Sequence, residues 1–150
     1  MTHVRFQLTH TEARQPAYAT DGASGMDLHA VESVVVPARG RVSVPTGLRL
    51  ASMPLDFEIQ IRGRSGLAFR HGIAVINSPG TVDSDYRGEI GVMLVNHSDE
   101  DYQVEAGDRV AQAVLAPIAR AAICVDAYNP DATPVLDTAR GVGGFGSTGR

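Results

Sequence analysis

The chain has 150 residues, enough for one domain that buries roughly two thirds of its unfolded surface and short for two. Its 43% hydrophobic and 20% charged residues exclude wholesale disorder, and no apolar run reaches membrane-spanning length. A net charge of −4 and a pI near 5.6 argue against a nucleic-acid surface built on bulk positive charge, so any polyanion bound here should be small.

Val4, Phe6 and Leu8 alternate with Arg5 and Gln7, which predicts a half-buried strand. The same N-terminal stretch lacks the continuous apolar segment of a secretory signal, which points to the cytoplasm. Asp21–Gly25 predicts a tight turn, and Met26, Leu28 and Ala30 alternating with Asp27 and His29 predict a second strand. Val34–Val36, the reversal Pro37–Gly40, and Val42 and Val44 ahead of Pro45 predict a hairpin with edge prolines. Phe57, Ile59 and Ile61 against Glu58, Gln60 and Arg62 give the cleanest strand. Ser65 as N-cap predicts a short helix through Leu67, Ala68 and Phe69 that Gly72 ends.

Ile73 and Val75 on one side and Ile90, Val92 and Leu94 on the other frame residues 77–90 as a hairpin, with Pro79-Gly80 suited to the reversal. Tyr102–Val104, a turn at Ala106–Asp108, the run from Val110 to Pro117 and Ile123–Val125 predict the remaining strands. The single cysteine, Cys124, lies in that last apolar run and is expected to be a buried structural thiol. The sum is an all-β, jelly-roll-like barrel or sandwich over residues 1–139, with one short helix and a glycine-rich C-terminal arm over 140–150.

Chemistry concentrates in few places. Residues 77–90 hold three carboxylates, a phenol and a guanidinium between strands that limit their freedom. Arg62-Gly-Arg64-Ser65-Gly66 sets two guanidiniums and a hydroxyl at the start of the expected helix, where an anion is favoured. All 13 basic side chains are arginine, the better bidentate partner for phosphate. Gly141-Val-Gly143-Gly-Phe-Gly146 has the spacing of a dinucleotide fingerprint but not its βαβ setting, and a Walker loop is impossible without lysine. Phe145 in that arm could stack on a planar group while Arg140, Ser147 and Thr148 hold phosphate oxygens. The five histidines have no metal-cage spacing and no serine elbow is present, which leaves a carboxylate activating water as the simpler chemistry.

Five segments, Ala23–Ala30, Arg64–Ala68, Asn77–Ile90, Gly107–Gln112 and Arg140–Gly149, stand in the order and wording of the trimeric dUTPase family, the deoxyuridine triphosphate nucleotidohydrolases. The resemblance spans nearly the whole chain; Gly63 departs from the proline usual before the Arg-Ser pair. It implies a jelly roll assembled as a homotrimer, each site taking motifs from all three chains. It implies hydrolysis of dUTP to dUMP and pyrophosphate, which lowers dUTP and supplies dUMP for thymidylate synthesis.

By the same resemblance Asp83 is the general base that deprotonates the water attacking the α-phosphorus. Asn77 and the hairpin backbone at Gly80, Thr81 and Val82 read uracil, and Tyr86 stacks under the deoxyribose, leaving no room for a 2′-hydroxyl. Arg64, Ser65, Gly66 and Gln112 form the phosphate set. Phe145, beside Gly146, covers uracil while Arg140, Ser147 and Thr148 hold the terminal phosphates. Mg²⁺ is chelated mainly by the triphosphate, with Asp27 holding water around it, and neither nucleic acid nor a membrane is a partner. Two further readings stay open: a dCTP deaminase on the same fold, and a non-catalytic, nucleotide-dependent regulator that binds a partner protein.

Overall fold

Two-residue alternation turns into antiparallel pairing at almost every point where the sequence carries it. The structure, a computed structural model, describes residues 2–131 together with 138, 139, 141 and 143, and divides into two units, Met1–Ala119 and Arg120–Arg150. The first unit runs β1 (Arg5–Leu8), β2 (Ala17–Tyr18), β3 (Met26–His29), β4 (Val34–Val36), β5 (Arg41–Ser52), β6 (Phe57–Arg62) and α1 (Ser65–His71). It continues with β7 (Ile73–Val75), β8 (Gly80–Val82), β9 (Glu89–Asn96), β10 (Tyr102–Val104) and β11 (Arg109–Pro117). One sheet has the order β1-β5-β9-β7, a second β2-β3-β11-β6-β8, and a two-stranded ribbon pairs β10 with β4. The architecture is the expected all-β, jelly-roll-like one with a single short helix; its sheets stay open, so it is a sandwich and not a closed barrel.

The core follows from which side of each strand is apolar. In β9, Ile90, Val92 and Leu94 face inward while Gly91 and Met93 face out. They meet Leu28, Val44, Leu48, Leu50, Ile59, Ile73 and Val110, each almost fully buried. Burying such a side chain contributes about 1.5–3 kcal/mol. Asn96 occupies the next inward position of β9 and is also buried, yet no polar atom is wasted. Its amide nitrogen donates to Val36 O at 3.1 Å and Glu100 O at 2.8 Å, and its oxygen accepts from Ser98 N at 2.9 Å and Ser98 Oγ at 2.7 Å. This side chain ties the end of β9 to β4 and to the following turn.

Several expectations need correction. β4 and β5 do not form a hairpin: β4 pairs with β10, and β5 lies between β1 and β9. Pro45 is therefore in an interior strand. It is tolerated because the pairing with β9 shifts register between Pro45 and Arg49, where Gly47 takes a left-handed φ of 64°. Ser65 is the first helical residue and not the cap; Arg64 is the N-cap, without a side-chain cap hydrogen bond. Gly72 ends the helix as expected, in the left-handed conformation, its N–H reaching back to Ala68 O.

In the second unit no strand forms at Ile123–Val125. Ile123 is 87% exposed, Val125 85%, and Cys124 is exposed rather than buried. Within that unit the described residues offer this extended run no strand to pair with, so apolar character alone does not bury it.

Candidate functional site

The segment after β7 is more than a simple reversal. Ile73–Val75 pairs with β9, Ser78 N donates to Val75 O at 3.2 Å, and the chain then crosses to the other sheet, where β8 pairs with β6. Gly80 belongs to β8 and has no positive φ; the bond before Pro79 is cis. Gly80 is needed for space, because a Cβ there would meet the Asn77 amide nitrogen at 3.0 Å. Residues 77–88 thus bridge two sheets, held at both ends by paired strands.

Asn77, Gly80, Thr81, Val82 and Tyr86 line one pocket of about 170 Å³ with Ile61, Glu89, Ile90, Gly91 and Met93. At about 30 Å³ per water that is room for one small ring and not for a whole nucleotide. Asp83 follows Val82 at the end of β8, exposed, its backbone oxygen accepting from Tyr86 N at 3.1 Å. The turn it opens is braced from inside. Ser84 is buried, and Arg87 Nη1 donates to Ser84 O and Tyr86 O, both at 2.9 Å. Tyr86 Oη donates to Glu89 O at 3.1 Å. A larger cavity of about 450 Å³, lined by Val4, Phe6, Tyr18, Met26 and Leu115, holds no carboxylate and lies away from all these groups.

A second cluster forms where β3 pairs with β11. Register puts Gln112 opposite Asp27, so both side chains share a face. Asp27 is buried; its carboxylate accepts from Arg109 Nη1 at 3.1 Å and Gln112 Nε2 at 3.2 Å. Arg64 Nη1 donates to Arg109 O at 2.8 Å, which brings a second guanidinium to the same end of the sheet. His29, two residues on from Asp27, has a buried Nδ1 with no hydrogen-bond partner. Burial holds its pKa below the usual value, and Arg14, Arg109 and Arg64 add to the lowering against the opposite pull of Asp27. Ser65 and Gly66 are exposed at the first turn of α1.

The structure therefore sorts the residues picked out from sequence into two groups. Asn77, Gly80, Thr81, Val82, Asp83 and Tyr86 stand together, and Asp27, Gln112 and Arg64 stand together. Three strand spacings separate β3 from β8 in the sheet order, about 14 Å, too far for Asp27 and the hairpin to touch one small group within one chain. Arg140, Phe145, Gly146, Ser147 and Thr148 lie outside the described residues. Arg109 was not singled out and Arg87 stood only as the guanidinium of residues 77–90; only strand register joins Arg109 to Asp27, and only the folded turn gives Arg87 its two carbonyls.

Chemically, one group offers a ring-sized slot followed in the chain by the exposed Asp83, and the other a cationic patch in which the Asp27 carboxylate is already paired with Arg109. Among the described residues no three His, Cys, Asp or Glu side chains come together to hold a metal. Asp27 has lone pairs left to order water, but it does not build a cage.

The dUTPase family model matches residues 11–149. A protein of Nautilia profundicola named deoxyuridine 5'-triphosphate nucleotidohydrolase is 47% identical over 147 residues, covering 98% of this chain and 99% of the relative. One of the same name from Wolinella succinogenes is 50% identical, covering 98% and 94%. Among solved structures, the dUTPase of Staphylococcus bacteriophage 80alpha with dUpNHpp superposes with a TM-score of 0.83 at 22% identity over 99% of both chains. A mutant dUTPase from phage phi11 of S. aureus, described with a structural Mg(II) ion, gives 0.76 at 19% identity over 85% of this chain and 99% of its own.

Proposed function

The chain belongs to the dUTPase family, and from that premise we propose that it hydrolyses dUTP to dUMP and pyrophosphate with Asp83 as the general base. A water held by the Asp83 carboxylate gives up a proton to it as its oxygen bonds to the α-phosphorus. The bond from that phosphorus to the α–β bridging oxygen breaks and pyrophosphate leaves. The observation that carries the reading is an exposed Asp83 on a braced turn, the residue that follows Val82 in a ring-sized slot lined by Asn77, Gly80, Thr81, Val82 and Tyr86. Asn77 and the β8 backbone read uracil, and Tyr86 closes the slot beneath the sugar. The slot refuses thymine and ribose by clash, a form of selection that needs no extra contact.

Phosphates need cations, and Arg64 with Ser65, Gly66 and Gln112 supplies donors for them. The separation of about 14 Å between the two clusters supports a site shared between copies, in a homotrimer where the hairpin of one chain faces the Asp27–Gln112 end of another. The third contribution is an arm over 140–150, with Phe145 and Gly146 over the base and Arg140, Ser147 and Thr148 on the phosphates. Asp27 would order water around a Mg²⁺ held by the triphosphate, and that ion would supply neutralisation of the charge on the leaving pyrophosphate. The enzyme works in the cytoplasm; among the described residues no helix is long and apolar enough to cross a membrane.

The test is pyrophosphate release from a panel of nucleotides in Mg²⁺. dUTP is turned over while UTP, dTTP and dCTP are left almost untouched; equal turnover of dTTP would remove the exclusion argument, and deamination of dCTP would move the protein to another branch. Removing residues 140–150 should cripple turnover and leave the oligomer intact by size-exclusion chromatography.

A further inference from the structure

A phenol ring on an exposed turn is ordinarily free to swing about its first side-chain torsion, and Tyr86 is 45% exposed. It is nevertheless tied down along its whole length. Its N–H donates to Asp83 O, its carbonyl accepts from Arg87, and its hydroxyl donates to Glu89 O at 3.1 Å. Gly88 is the residue that precedes that last acceptor in the chain. A Cβ placed on Gly88 would come within 2.3 Å of the Tyr86 hydroxyl oxygen, 2.6 Å of Cζ and 3.0 Å of Cε2. The tip of the ring fills the volume that any other residue's side chain would take.

We propose that Gly88 is a specificity-determining position: by leaving that volume empty it seats the Tyr86 ring against the turn, and the seat sets how strictly a 2′-hydroxyl is refused. The inference rests on the assignment of Tyr86 to the floor beneath the sugar. Glycine is not required for its backbone here, since Gly88 has no positive φ. An alanine therefore adds only a methyl group, and the atom it displaces is the far end of a half-exposed side chain and not the core. Restoring ordinary contact moves the ring tip by about 1 Å, which breaks the bond to Glu89 O. That displacement is comparable to the single oxygen atom that the wall must keep out. A pocket that refuses an added atom by clash depends on where its wall stands, so a small shift of that wall is enough to erode the preference.

The experiment compares kcat/KM for dUTP and for UTP in the wild-type protein, Gly88→Ala and Tyr86→Phe, with a thermal melt of each. Gly88→Ala should fold, keep kcat for dUTP within a few-fold, and lose about tenfold of the dUTP-over-UTP preference. Tyr86→Phe keeps the ring and removes only its tether, and should lose a smaller part of the preference. A folded Gly88→Ala that weakens both nucleotides equally overturns the inference. Should that variant not fold, an unchanged preference in Tyr86→Phe overturns it. A wild-type protein that does not turn over dUTP refutes the proposed reaction itself, a result distinct from either.

Discussion

Two parts of the first unit carry the candidate site, and they are built in opposite ways. Residues 77–88 are held by backbone: strand pairing at both ends, a buried Ser84, the Arg87 clamp on two carbonyls, and glycines that make room for Asn77 and Tyr86. Asp83 itself is exposed, and its side chain is engaged by no described residue. At β3 and β11 the strands supply only register, and the groups are held by each other, with Asp27 between Arg109 and Gln112. A carboxylate left free can take a proton from water, whereas one already accepting from an arginine and an amide serves to orient them. Altering the first carboxylate should therefore touch chemistry alone, and altering the second should touch stability and binding together.

Asp83→Asn is expected to lower kcat for dUTP by about 10²–10⁴-fold with KM little changed, since asparagine cannot take the proton. Its melting temperature should stay at the wild-type value; a large drop would mean that Asp83 is a structural residue. Asp27→Ala leaves Arg109 and Gln112 without their shared acceptor and should cost about 1–3 kcal/mol of stability. Calorimetry should register a fall of roughly 3–10 °C, accompanied by a raised KM for dUTP. A stable Asp27→Ala protein with unchanged KM would erase the contrast between the two parts. Arg87→Ala removes two hydrogen bonds at the surface, worth about 1 kcal/mol in all. A several-fold loss of kcat with a melt within a few degrees would locate its role in the turn that presents Asp83, and an unchanged kcat would deny it that role.

Alternation at β6 and β9 told which side chains face inward, and Gly72 told where the helix stops, because each depends on a handful of neighbouring residues. Partner choice is another matter. Val34–Val36 and Val42–Val44 look like the two arms of a hairpin, yet the first pairs with Tyr102–Val104, more than sixty residues on along the numbering. Local pattern reports that a strand needs a neighbour and not which neighbour it finds. The same limit applies to the site. Asp27 and Gln112 stood out separately on wording, while the Arg109 ion pair and the clamp from Arg87 exist only once register and turn are folded. Ile123–Val125 failed for the reason that a short apolar run carries no information about whether a partner strand is within reach.

The central claim is that the hairpin of one chain and the Arg64, Asp27 and Gln112 end of another make one site. Co-expressing Asp83→Asn and Arg64→Ala chains under two affinity tags, and assaying dUTP turnover by the doubly purified oligomers, tests it directly. If the two parts come from different copies, one of the three sites in each mixed trimer receives both intact halves, and the doubly purified trimers recover about a third of wild-type turnover from two inactive chains. Mixed oligomers as inactive as either parent would place both halves in a single chain and contradict the account.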